Sequence, residues 1–101
     1  MPVVCNSLDE VRGQIDTIDR QIVALIAERG AYVKQAARLK KSLQDVQAPS
    51  RVEQVIDKVR ALSLDVGGDA DLAEAVYRVM IAAFIDREMA EKAAMERSGP
   101  P

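Results

Sequence analysis

The chain has 101 residues, 49% apolar and 30% charged, with no histidine, no tryptophan, one cysteine and a formal net charge of −2. That length holds one domain. The missing histidine removes histidine bases, Ser-His-Asp triads and histidine metal ligands, and Cys5 alone permits neither an internal disulfide nor a cysteine zinc site. A near-neutral charge gives no footing for nucleic acid, and no run approaches the ~18 apolar residues of a membrane span. Residues 1–7 lack the basic and apolar regions of a signal peptide, so the expected setting is the cytoplasm.

Three helices and no strand are predicted. The first covers about residues 7–43. Ser7 and Glu10 have the spacing of a capping box, and Leu8, Val11, Ile15, Ile18, Ile22 and Leu25 recur at alternating steps of three and four, a heptad pattern. The register continues through Arg29, Tyr32, Ala36, Leu39 and Leu43. Gly30 costs about 1 kcal/mol against alanine without shifting it. Residues 44–48 read as a short loop, with Ala48 biased away from helical angles by Pro49. Ser50 and Glu53 suggest a second capping box opening a shorter helix over about 50–65, with Val52, Val55, Ile56, Val59 and Leu62 on one face. Gly67 and Gly68 mark the next connection. Asp71 as N-cap, with Glu74, opens a third helix over about 71–95. The unbroken apolar run 79–85 predicts burial on nearly every side of it. Beyond about Lys92 the chain turns polar, and Ser98, Gly99, Pro100 and Pro101 predict a frayed end.

A helix over residues 7–43 spans about 55 Å, whereas a compact domain of this size has a radius of gyration of only about 13 Å. Two long helices and one short one leave wide apolar stripes that a second copy of the chain covers most simply, so a homodimer is expected. The alternative is a three-helix monomer bent at Gly30.

A second ridge of the first helix reads Arg12, Ile15, Asp19, Ile22, Ile26, Arg29, Val33, Ala36, Lys40. Single cations on such a ridge commonly snorkel to water. Three of them, with only Asp19 as an acidic partner, favour an anionic ligand. Arg29 and Lys40 lie about three turns apart, roughly 16 Å, so two extended side chains can close on a small dianion. Arg12 is about 25 Å from Arg29 along the axis and reaches the same ligand only from the helix of another protomer. Arg51 opens the second helix, where a cation opposes the dipole; an anion nearby or simple exposure accounts for it. Glu88 follows Ile81, Phe84 and Ile85 at helical spacing, which places a carboxyl on or beside the buried face. It is expected either in a salt bridge with Arg87 or Lys92 or in its protonated form.

With these residues in view, the chain resembles the all-helical AroQ class of chorismate mutases. The resemblance covers about residues 8–90. It rests on Leu8, Asp9, Glu10, Val11, Arg12, Ile15, Asp16 and Asp19, then Leu25, Ile26, Ala27, Glu28 and Arg29, then Lys40. The stretch Ala48, Pro49, Ser50, Arg51, Val52 also resembles the isochorismate-pyruvate lyase branch of that class, which makes salicylate. Both branches imply intertwined three-helix protomers in a dimer with two equivalent active sites. The resemblance implies that Arg12 binds a substrate carboxylate from the neighbouring protomer and that Arg29 is the principal carboxylate clamp. It also implies that Lys40 contacts a carboxylate and the ether oxygen, that Arg51 helps close the site, and that Glu88 stands where many members carry the glutamine that is the second ether-oxygen donor. Ala48 and Val52 replace acids found beside the loop arginine in many mutases, and Phe84 a serine found in some. These replacements resemble the lyase branch, whereas Glu88 departs from it.

The implied reaction is the Claisen rearrangement of chorismate to prephenate, a pericyclic step that needs no nucleophile, base, metal or cofactor. Its catalysis lies in holding a dicarboxylate in the reactive conformer and in donors aimed at charge growing on the ether oxygen. The arginines suit the first task; Lys40 and a protonated Glu88 suit the second. The rival enzymatic reading is isochorismate-pyruvate lyase. The rival from another class is a non-catalytic helical dimerisation module, which explains the heptads but not Arg29 at a core position.

Overall fold

The computed structural model describes residues 2–97, so the fraying expected of Ser98, Gly99, Pro100 and Pro101 falls outside the described residues. The chain is all-α: α1 spans Leu8–Leu39, α2 Leu43–Gln47, α3 Pro49–Asp65 and α4 Ala70–Arg97. Two compact units are present, one up to Tyr32 and one from Val33 onward.

In the first unit α1 opens on the expected capping box. Ser7 Oγ accepts the Glu10 N–H at 3.1 Å, and the Glu10 carboxylate reaches back to the Asn6 N–H at 2.8 Å. Asp9 and Glu10 in the first turn complement the helix dipole. The heptad stripe Leu8, Val11, Ile15, Ile18, Ile22 and Leu25 is exposed, Ile22 by 47%. Pro2, Val3 and Cys5 lie against Val11, Ile15 and Ile18 and line a shallow apolar pocket with them. The helix runs unbroken through Gly30.

In the second unit α1 stops at Leu39, short of the expected residue 43. The reason is a competing cap. Ser42 is extended (φ −152°), its hydroxyl accepts the Asp45 N–H at 3.2 Å, and the Asp45 carboxylate accepts the Lys41 N–H at 3.2 Å. Local side-chain bonds of this kind draw the backbone out of one helix and start another. The segment read as a loop is therefore largely α2. Ala48 closes α2 and opens α3, its carbonyl accepting from Arg51 and Val52 at 3.0 and 3.2 Å. Its φ of 21° is unfavourable for an L-residue. Pro49 takes the first helical position of α3, where its missing N–H costs nothing. The Ser50–Glu53 capping box does not form, because Pro49 has already started the helix and Glu53 is engaged by Arg78.

At the end of α3, Gly67 adopts φ 75°, its N–H donates to the Leu64 carbonyl, and the Gly68 N–H donates to the Ser63 carbonyl at 2.7 Å. This is a Schellman closure. A Cβ on Gly68 would meet the Ser63 hydroxyl at 2.8 Å. The cap of α4 is Asp69, whose carboxylate accepts the Leu72 N–H at 3.1 Å, rather than the expected Asp71. Asp71 and Glu74 instead engage Arg60 at 3.0 and 2.8 Å.

Packing in this unit is centred on α4, against which α2 and α3 lie. Val46 from α2, Ile56 and Val59 from α3, and Ala70 and Ile81 from α4 are buried, as is Ala37 near the end of α1. The apolar run 79–85 is not buried all round within one chain. Ile81 is enclosed, whereas Val79 is 73% exposed and Ala82 and Ala83 are open, because α3 covers only one side of α4.

Two arginines bind α3 to α4 at the surface. Arg60 on α3 holds Asp71 and Glu74, while Arg78 on α4 holds Glu53 through two hydrogen bonds of 2.9 and 3.0 Å and Glu74 at 2.7 Å. Hydrogen bonding by Arg78 holds the Glu53 carboxyl below its ordinary value, and hydrogen bonding by Arg78 and then Arg60 does the same to Glu74.

Three outcomes follow from this architecture. Ile56, 2% exposed, leaves a cavity when truncated, so Ile56→Ala should cost about 2–5 kcal/mol in urea unfolding at fixed protein concentration. Gly67→Ala should cost about 1 kcal/mol through its left-handed φ alone, since no atom lies within 4 Å of the added Cβ. The lowered Glu53 and Glu74 values mean that the unfolded chain binds more protons. Their contribution is full above the ordinary carboxylate value of 4.5 and is lost as pH falls through the lowered folded values. Glu74→Gln should make stability less dependent on pH there, and added salt should reduce the same dependence in the parent protein.

Candidate active site

Lys40 and Glu88 are brought together. Lys40 follows the last residue of α1, its N–H donating to the Ala36 carbonyl at 3.1 Å, and Glu88 lies on the buried seam of α4. Lys40 Nζ donates to Glu88 Oε2 at 2.8 Å. The exposure is uneven: 29% for the lysine side chain against 8% for the glutamate. The carboxylate is enclosed, while the lysine side chain remains partly exposed. An ammonium has three N–H donors, so engagement by Glu88 leaves donors for a second oxygen. A buried carboxylate is costly unless paired. Removal of one partner of a buried ion pair typically costs about 3–5 kcal/mol because the other charge is left uncompensated.

The partner expected for Glu88 was Arg87 or Lys92; the structure makes it Lys40. Arg87 instead donates to the Ala83 carbonyl at 3.5 Å, within its own turn of α4. The buried Lys92 ammonium donates to the backbone carbonyl of Lys40. This contact was missed in the sequence. Its signal was a cation at the position after Ile81 and Glu88 on one helical seam, which was read as a local salt-bridge partner.

The other expected residues are placed as follows. Arg51 lies in the first turn of α3, exposed, and among the described residues no hydrogen bond joins its guanidinium to Lys40 or Glu88. Ala48 and Val52 on either side of it are half-buried, as is Phe84 on α4. Arg12 and Arg29 belong to the first unit. Arg12 is exposed in the second turn of α1, whereas Arg29 is half-buried and engaged within the chain. The rise between them along α1 is about 25 Å, so one α1 cannot bring both to one small ligand.

This arrangement can bind an anion at a partly buried ammonium and supply hydrogen-bond donors to it. It does not contain a nucleophile activated by a base. Among the described residues, no helix is long and apolar enough to cross a membrane.

Comparison with known proteins gives a consistent assignment. The family described as chorismate mutase type II matches residues 11–89. A chorismate mutase of Methanocaldococcus jannaschii is 32% identical over 75 residues, covering 73% of this chain and 76% of that protein. An isochorismate pyruvate lyase of Pseudomonas aeruginosa is 32% identical over 88 residues, 87% of each chain. A bifunctional chorismate mutase/prephenate dehydratase of Aquifex aeolicus is 32% identical over 91 residues, covering 86% of this chain and 25% of that longer protein. The family match takes in Arg12, Arg29, Lys40, Arg51 and Glu88, and on this evidence the chain belongs to the type II chorismate mutase family.

Proposed function

We propose that this chain catalyses the rearrangement of chorismate to prephenate, the committed chemistry of a cytoplasmic route to aromatic amino acids. The observation that carries the proposal is the partly exposed Lys40 side chain, its ammonium set on Glu88 at 2.8 Å inside the family-matched span. The reaction breaks an ether C–O bond and forms a C–C bond in one cyclic movement of electrons, so the protein has no proton to move. Its task is to hold the dicarboxylate in the reactive conformer and to stabilise charge growing on the ether oxygen. Lys40 is the proposed principal donor to that oxygen. Glu88, paired as a carboxylate with Lys40, orients that donor, since a carboxylate only accepts hydrogen bonds. Arg29, Arg12 and Arg51 hold the substrate carboxylates.

The working unit proposed is a homodimer in which residues 1–101 act as one domain of each protomer. Its support is the apolar surface a single chain leaves open, the α1 stripe from Leu8 to Leu25 together with Leu72, Val76 and Val79 on α4. A second copy covers such stripes and supplies Arg12 to its neighbour's site, across the separation that one α1 imposes. A lone cysteine suits a reducing compartment.

A second reading, isochorismate-pyruvate lyase, is favoured by one specific observation: the lyase relative shares 87% of its length with this chain. The two reactions place the same demands on the cations. Purified protein should form prephenate from chorismate; formation of pyruvate and salicylate from isochorismate, with no prephenate from chorismate, would establish the lyase instead. Inertness toward both would leave the dimerisation module.

Two further outcomes belong to this reading. Lys40→Ala combined with Glu88→Gln, which strands no buried carboxylate, should lose about 10²–10³ in turnover while remaining folded by circular dichroism. Arg12→Ala and Lys40→Ala proteins should each be nearly inactive alone, yet regain activity when mixed and allowed to exchange subunits, since each mixed dimer then holds one intact site. Failure of the mixture to recover would place Arg12 in its own protomer's site or outside it.

A further inference from the structure

The buried seam of α4 ends in two charges rather than in apolar residues. After Ile81 it carries Glu88 and then Lys92, one turn further on, and both are buried. Two buried charges on successive turns carry a large desolvation cost unless each has a partner of its own. Both partners belong to one residue. Glu88 takes the Lys40 ammonium, and Lys92 donates to the Lys40 backbone carbonyl. Lys40 is thus gripped at both ends, side chain and main chain, by consecutive turns of α4.

The grip falls where the backbone has least support of its own. The Lys40 N–H closes the last bond of the α1 ladder on Ala36. Its carbonyl lies among the last carbonyls of a helix, which have no intrahelical donor. Immediately afterwards Lys41 and Ser42 turn the chain into α2. A cation at this place satisfies an orphaned carbonyl and complements the negative end of the helix dipole. Without it, the Lys40 backbone depends on one hydrogen bond to Ala36 and on the side-chain pair.

We propose that Lys92 is a positioning residue for catalysis: its ammonium fixes the Lys40 main chain and so aims the Lys40 ammonium at the reacting oxygen. The proposal rests on the role given to Lys40 above. A donor aimed at a transition state loses value steeply when its mounting loosens. The loss therefore falls on turnover rather than on affinity for the substrate carboxylates, which other cations hold.

The test uses Lys92→Met, which keeps the stem and deletes the donor, and Lys92→Gln, which keeps a neutral donor. Lys92→Met leaves an unpaired carbonyl rather than an uncompensated buried charge, the smaller of the two penalties; should Lys92→Met fail to fold, Lys92→Gln against the parent carries the same comparisons. The first readout is amide hydrogen exchange in the intact protein without substrate. Lys92→Met should speed exchange about tenfold at residues 38–41 and leave α3 unchanged, with an intermediate effect in Lys92→Gln. The second readout is prephenate formation. Lys92→Met should lower kcat about tenfold with KM changed less than threefold, Lys92→Gln should recover part of the loss, and in a Lys40→Ala background Lys92→Met should have no further effect. Unchanged exchange at residues 38–41 overturns the main-chain grip whatever the activity. An equal loss of kcat with and without Lys40 overturns action through Lys40. If exchange changes as expected while Lys40→Ala retains full turnover, the grip stands, but the catalytic role proposed for Lys92 falls with that of Lys40.

Discussion

A carboxylate enclosed by a helix bundle needs a cation, and here the cation comes from the end of another helix. The Glu88–Lys40 pair is the interaction on which the candidate site depends. It places a basic side chain at a partly open position and makes the exit of α1 part of the packed unit instead of a free end. The neighbouring features support that one placement. Ser42 ends α1 directly behind Lys40, α2 inserts Val46 into the core, and Lys92 secures the Lys40 carbonyl.

The same economy separates the two kinds of charge on this chain. The Arg60 and Arg78 clusters lie at the surface, where water and salt screen them, and their role is to hold α3 alongside α4. The Lys40–Glu88–Lys92 group lies in the packed unit, where screening is weak and each charge matters more. A near-neutral total charge conceals this division.

Much of the fold was legible because helical periodicity is a repeated signal. The heptads of α1, the face of α3 and the glycine pair after it all read through to structure. Several misreadings were local, where an acid had two possible partners, one near in sequence and one far. Ser50, Glu53, Asp71 and Glu74 looked like helix-start residues, but Ala48 and Asp69 took the capping places and distant arginines took the acids. Glu88 had cations beside it in sequence and chose one from another element. Lys40 and Glu88 stood out in the sequence because charge stood where apolar residues belong. Their direct pairing was not visible, since it depends on how α4 meets the end of α1. Arg12, Arg29 and Arg51 stood out by spacing and type, and one α1 cannot bring Arg12 and Arg29 to one small ligand.

Ala48 is at once the C-cap of α2 and the N-cap of α3, with no linker on either side. Between Lys40 and Arg51 the backbone is consequently occupied almost throughout by capped helical turns. A segment built this way has no slack. It does not absorb an added or deleted residue by bulging, as an ordinary surface loop does, because each turn rotates side chains by a fixed angle. Substitution is therefore accommodated there more readily than insertion or deletion. The phase between the lysine and the arginine is held by helical geometry, and evolution can retune the side chains of this stretch far more freely than its length.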